Sequence, residues 1–314
     1  MKIRLFFFLI ILPSLFGCRS EVQSVPTETQ LKPTESTIQT DTPEPTDEPT
    51  ATSTLTLEPT LTQTQTPTNP PEIQVISYQV SEMDEMGMVL VPEGEFEMGS
   101  EDGWESEQPV HTVYLFSFWI DQTEVTIQQY KLCVEAEACE EPRDPDSFTR
   151  NGYYTNAAFN NYPVINVSWY DAVKYCEWAG RRLPTEAEWE KAARGVDGNI
   201  YPWGDGINCE LANYVGCVGD TDEVGSYPLG ASPYGVLDMS GNVWEWVADW
   251  YFIGYYEESP LDYPLGPESG AYRVVRGGSW NDYDWYLRTT TRYSYFPDNK
   301  RVSIGFRCAL SLSE

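Results

Sequence analysis

Ser279, Asp282 and Asp284 stand close together in the stretch RGGSWNDYDW, residues 276–285. A hydroxyl beside two carboxylates could ligate a hard cation or serve as a general base. The same residues would equally suit a plain acidic turn exposed to water. A second group lies in LDMSGNVWEW, residues 237–246, where Asp238 and Glu245 flank a tight Gly241-Asn242 turn whose carbonyls can face inward. Hard oxygen donors in a compact loop point to calcium.

Histidine chemistry is nearly absent. The 314-residue chain has one histidine, His111, which excludes three-His zinc sites, two-His iron sites and HExxH proteases. His111 itself, in PVHTVYLF, is expected to be hydrogen-bonded at the start of a strand rather than catalytic. The formal net charge of −30 argues against nucleic acid, because phosphate neutralisation needs clustered Lys and Arg. An acidic surface suits calcium, basic peptides or solubility instead.

The elements that must position these groups begin after two unusual segments. MKIRLFFFLIILPSLFGC has Lys2 and Arg4 ahead of an apolar run from Leu5 to Phe16, the layout of an export signal and too short to span a bilayer. Its end resembles a lipobox, which would make Cys18 a lipidated N-terminus on the outer face of a bacterial membrane; plain secretion is the alternative. From Arg19 to about residue 75 the chain is rich in Thr, Pro, Glu and Gln, as in TPEPTDEPT, and cannot build a core. In polyproline geometry, at roughly 3 Å per residue, such a stalk could extend more than about 100 Å.

Residues 76–314 carry the aromatic mass of one globular domain, the chain having 11 Trp, 21 Tyr and 12 Phe in all. In MVLVPEGEFEMGS (88–100) two apolar runs flank Pro92-Glu93-Gly94, which predicts a hairpin, and HTVYLFSFWI reads as one further strand. Thr126 with Gln129, Ser168 with Asp171 and Thr185 with Glu188 predict three helix starts by capping boxes, and Gly180 and Gly195 stop the last two helices. Beyond Gly195, Gly, Pro, Asn and aromatics dominate, so long ordered loops around a small sheet are expected.

Loops of that kind need staples. Six cysteines remain besides Cys18, an even number suited to disulfides in an exported chain. Cys133 with Cys139 and Cys209 with Cys217 would close short loops, leaving Cys176 and Cys308 for a long-range bond. Trp189, Trp203, Trp244, Trp246 and Trp250 could line a groove but fit a loop-rich core better. Arg276, Arg292 and Arg307 could bind an anion, but in so acidic a chain they are expected to pair with internal carboxylates.

Taken in order, SWYDAVKYCEWAGRRLPTEAEWEKAARG (168–195), YPWG (201–204), ANY (212–214), LDMSGNVWEW, RVVRGGSW (273–280) and GFR (305–307) resemble the formylglycine-generating enzyme, or sulfatase-modifying factor, family over about Met88 to Leu310. The resemblance implies an α+β, C-type-lectin-like single domain with little regular secondary structure. It also implies a Cys176–Cys308 bond and one or two structural calcium ions. One ion would take Asp238 and Glu245 by side chain and Gly241 and Val243 by carbonyl; the other would take Asn213, Tyr214, Asp220 and Asp222.

Catalytic members bind copper(I) through two thiolates, one three residues after the serine and the other five further on. Counted from Ser279 these positions are Asp282 and Leu287, neither of which suits that soft ion. Copper-dependent oxidation of cysteine to formylglycine is therefore not expected. The leading expectation is a calcium-stabilised, surface-tethered module that binds a peptide or protein partner. The alternative is an active member of the family, either a formylglycine-generating oxidoreductase or a divergent metal-dependent enzyme using Ser279, Asp282 and Asp284.

Overall fold

The computed structural model describes residues 77–312. The signal-like segment, Cys18 and the Thr/Pro-rich stretch lie outside the described residues. Ten short strands and four helices carry a loop-rich α+β domain. Strands β1 (Tyr78–Val80), β2 (Gly87–Val91), β5 (Phe118–Asp121) and β10 (Ala309–Ser311) form an antiparallel sheet in the order β1-β2-β5-β10. Strands β3 (Gly94–Met98) and β4 (His111–Leu115) pair with each other. A third sheet, order β8-β7-β6-β9, joins β6 (Trp244–Trp250), β7 (Arg273–Arg276), β8 (Tyr293–Tyr295) and β9 (Ile304–Phe306), with β6 and β9 parallel.

The hairpin expected across Pro92-Glu93-Gly94 does not form, and HTVYLFSFWI is two strands rather than one. The two apolar runs are successive strands of one arm of a ribbon, and β4 and β5 are the other arm. Beyond the bend the ribbon continues in a different sheet. Proline lacks the donor that a ladder needs, so the pairing breaks there. Three contacts hold the bend: the Glu93 N–H donates to Ser117 Oγ at 3.0 Å, and Lys191 Nζ donates to the carbonyls of Pro92 and Gly94 at 2.9 and 2.8 Å. Burial pulls the Lys191 ammonium down to about 8.

Helices α1 (Ile127–Glu135), α2 (Trp169–Trp178) and α3 (Glu186–Arg194) begin at the three expected capping boxes, each with the hydroxyl and the acceptor reciprocally bonded. Gly180 and Gly195 follow α2 and α3 with φ of 73° and 67°, a conformation that costs glycine little. A short α4 (Tyr255–Glu258) lies between β6 and β7.

One core gathers Ile127 and Tyr130 of α1, Tyr175 of α2, Trp246 and Phe306. The other gathers Val89, Phe118, Ile120, Trp189 and Val274. Each fully buried aliphatic or Phe side chain in them contributes roughly 1.5–3 kcal/mol. Disulfides join Cys133 to Cys139, Cys209 to Cys217 and Cys176 to Cys308, the last tying α2 to the chain just before β10.

Candidate functional site

Gly277 and Gly278 both have positive φ, and a Cβ on Gly278 would lie 2.7 Å from the Leu287 side chain. This glycine pair lets the chain leave β7 in a tight turn over Leu287. Ser279 follows, fully buried, and the Asp282 N–H closes a turn on the Ser279 carbonyl at 3.0 Å.

Asp282 is the hub of that turn. Its Oδ2 accepts the Ser279 hydroxyl and, at 2.9 Å, the Trp244 indole N–H, while its carbonyl accepts the Val215 N–H at 3.0 Å. Burial raises the Asp282 carboxyl above the ordinary carboxylate range, and the Ser279 and Trp244 donors pull against that rise. The other residues expected with it do not join it. Asp284 is exposed and its carboxylate caps the Trp285 N–H at 2.9 Å; Leu287 is fully buried and packs with Tyr201 and Ala212. Ser279 and Asp282 are thus brought together as a turn brace, and Asp284 and Leu287 face elsewhere.

Around the brace stands a set of aromatic rings. Trp244 lies 5.7 Å from Tyr293 and 6.4 Å from Tyr286, Tyr286 lies 5.1 Å from Trp104, and Tyr283 stacks on Trp285 at 4.8 Å. Of the tryptophans considered for a groove, Trp189 and Trp246 are core, and Trp250 joins Trp169 in sandwiching Arg273. The arginines turn inward: Arg276 meets Glu186 and Glu190, and Arg292 binds Glu186 through Nε and Nη2 at 2.7 and 2.8 Å. His111 Nδ1 lies 3.1 Å from the Pro109 carbonyl and its ring packs on Tyr256.

The loop 238–243 is shaped by Asp238, Gly241 and Asn242, all at positive φ. A Cβ at Gly241 would sit 2.4 Å from the Asn213 carbonyl, so only glycine allows this approach. Asp238 Oδ2 accepts the Gly225 N–H. Glu245, expected as a calcium ligand, is engaged differently: both its oxygens accept from Arg307, and Oε2 also accepts the Trp189 indole N–H at 2.8 Å. Glu124 is fully buried: its Oε1 accepts from Asn242 at 3.0 Å, its Oε2 receives no N–H or hydroxyl, and its carboxyl meets that of Asp238.

Glu124, Asp238 and Glu245 therefore face one guanidinium. Burial, then repulsion by Asp238, raises Glu124 well above the ordinary range, and burial lifts Asp238 to about 6. The excess of buried carboxyl groups fits a hard divalent cation in both charge and donor type. No three His, Cys, Asp or Glu side chains among the described residues converge closely enough to hold a metal unaided, so carbonyl oxygens would have to complete such a site. Glu124 was missed in the sequence, where it is a lone acid between β5 and α1.

The second expected set lies in one hydrogen-bonded loop, with Asn213 and Asp222 both reaching Asn242 Oδ1. Asp220 Oδ2 accepts from the Ser147 hydroxyl and from Thr149, and its Oδ1 accepts the Thr221 N–H. Burial pushes this carboxyl up, but the Thr149 and Ser147 donors outweigh it and the net shift is downward. Asp222 accepts from the Glu223 N–H and the Tyr227 hydroxyl, the Tyr214 carbonyl accepts the Cys217 N–H, and Asn213 donates to the Asp220 carbonyl.

Comparison with known proteins agrees with this architecture. Residues 74–312 match the model of the sulfatase-modifying factor enzyme 1-like domain. The serine/threonine-protein kinase Pkn1 of Chlamydia pneumoniae is 41% identical over 239 residues, covering 72% of this chain but only 38% of the kinase. The formylglycine-generating enzyme of Streptomyces coelicolor is 37% identical, covering 71% of this chain and 88% of the enzyme. Among solved structures, PvdO from Pseudomonas aeruginosa superposes with a TM-score of 0.65 at 27% identity, covering 75% of this chain and 98% of PvdO. The chain belongs to the sulfatase-modifying factor family, that of the formylglycine-generating enzymes.

Proposed function

We propose that the protein is a binding module of this family, stabilised by calcium and held at a bacterial cell surface by lipid on Cys18, that does not oxidise cysteine to formylglycine. One observation carries the reading: the six cysteines among the described residues are all taken up in disulfides, and Asp282 braces a turn where a copper thiolate would stand. A carboxylate and a buried leucine are poor ligands for copper(I). The separation of Asp284 from the Ser279–Asp282 brace gives no support to a divergent metal-dependent centre at those three residues.

Calcium would be held near Glu124 and Asp238, with the carbonyls of Gly241 and Val243. Its charge would offset the crowding of carboxylates beside Arg307. The likeness to Pkn1 concerns less than half of that kinase and carries no kinase activity to this chain.

The test is to incubate the purified chain with copper(I) and a cysteine-containing peptide under oxygen. The expected result is no stoichiometric copper binding and no peptide aldehyde by mass spectrometry; turnover would refute the reading. Elemental analysis and chelator titration of the melting temperature test calcium separately, and mass analysis of the mature N-terminus tests the lipid.

A further inference from the structure

Beside the aromatic set lies a cleft of about 470 Å³ lined in part by Trp104, Trp285 and Ile200. These side chains are 38%, 48% and 48% exposed, so that two indoles are open to solvent in one cleft. The charges beneath are settled internally. Arg288 is bound by both oxygens of buried Glu107, at 3.0 and 2.7 Å, and Arg194 is paired with Glu190 at 2.9 Å. An anionic ligand would find no free guanidinium there. A cation would face two arginines in the lining. What remains on offer is two indoles and, toward one rim, the Ser100 hydroxyl and the exposed Asp102 carboxylate.

We infer that this cleft takes an uncharged oligosaccharide. A pyranose ring has apolar C–H faces that pack on indole, and equatorial hydroxyls that donate to carboxylate and hydroxyl oxygens, which is the combination the cleft presents. The stacked Tyr283–Trp285 pair and the neighbouring Tyr286 and Tyr293 extend the aromatic surface beyond the cleft, so more than one sugar ring can be seated. The inference rests on the reading of the domain as a binding module and names its ligand class.

The full chain is to be run in affinity electrophoresis through gels containing a soluble β-glucan, a soluble chitin derivative or a mannan, with calorimetry on the matching hexasaccharides. Retardation by at least one glycan is expected, together with a loss of affinity of about tenfold or more in Trp104→Ala and in Trp285→Ala, on the order of one lost aromatic contact. Leu265→Ala, exposed in a separate hollow, should bind as the parent does, and melting temperatures of all variants show that they fold. Trp285→Tyr, which keeps an aromatic face, should retain part of the affinity. Retardation by none of the three glycans, or binding indifferent to both tryptophans, overturns the inference, as does saturable binding of an extended peptide that depends on Trp104 and Trp285. Peptide aldehyde formation in the copper assay would instead overturn the binding-module reading; a chain negative in both assays loses only the glycan.

Discussion

Arg307 grips Glu245 with two parallel hydrogen bonds, Nε to Oε2 and Nη2 to Oε1, both 2.7 Å long and both fully buried. The same guanidinium donates to the carbonyls of Asp121, Gln122 and Leu237, so it joins β5, the chain entering the 238–243 loop, and β6. Planar bidentate geometry explains why arginine and not lysine stands here.

Removing that guanidinium leaves Glu245, beside Glu124 and Asp238, without its hydrogen-bonded counter-charge. Arg307→Met should cost about 3–5 kcal/mol, the usual penalty for stranding one half of a buried ion pair. Glu245→Gln, which keeps an acceptor and sheds a buried charge, should cost less. Urea denaturation midpoints of the two variants and the parent check the ranking.

Asp249 should impose a pH dependence. Burial, then repulsion by Glu186, raises its carboxyl to about 8, while its Oδ2 accepts the Glu186 N–H at 2.8 Å. The folded state thus holds a proton that the unfolded chain releases at an ordinary carboxylate pKa, so this residue's stabilising contribution declines as pH rises from about 4 to 8. Asp249→Asn keeps the acceptor and removes the titration. Between those limits the variant's stability should fall less steeply with pH than the parent's, as read by denaturation across the range; parallel slopes would contradict the assignment.

The disulfides should differ in worth according to the loop each closes. Cys176 and Cys308 are 132 residues apart, and loop-closure entropy gives about 5 kcal/mol; Cys133 and Cys139 are 6 apart and give about 2 kcal/mol. The paired alanine variants should follow that order in melting temperature, measured without reductant.

Asp282 should behave as a brace. Asp282→Ala leaves the Trp244 N–H without its acceptor and the Ser279 hydroxyl with Asn281 Oδ1 alone, at about 1–3 kcal/mol, whereas Asp282→Asn keeps an acceptor and should recover much of the loss. Equilibrium unfolding followed by near-ultraviolet circular dichroism reports both variants.

These relationships were unequally visible in the sequence. Helix starts were legible because a capping box is local: Thr185 and Glu188 meet three residues apart. The ribbon's bend was not, since alternating apolar residues mark a buried face without saying which sheet buries it. Glu124 gave no signal, because its meaning comes from Asn242 and Asp238, more than a hundred residues away. The Arg307 pairing is legible only in kind; its partner, 62 residues distant, reads in the sequence as a calcium ligand. Residues 276–285 read equally as an acidic turn exposed to water, but folding turns Asp282 inward onto Ser279 and Trp244.

The first described strand, β1, and the last, β10, form the two edges of a single sheet, while Trp244 and Tyr293 belong to another. Polypeptide leading into the domain and polypeptide leaving it therefore both join at the same layer, and neither has to pass through the sheet that bears the aromatic residues. Such a domain can be spliced onto unrelated neighbours without being taken apart.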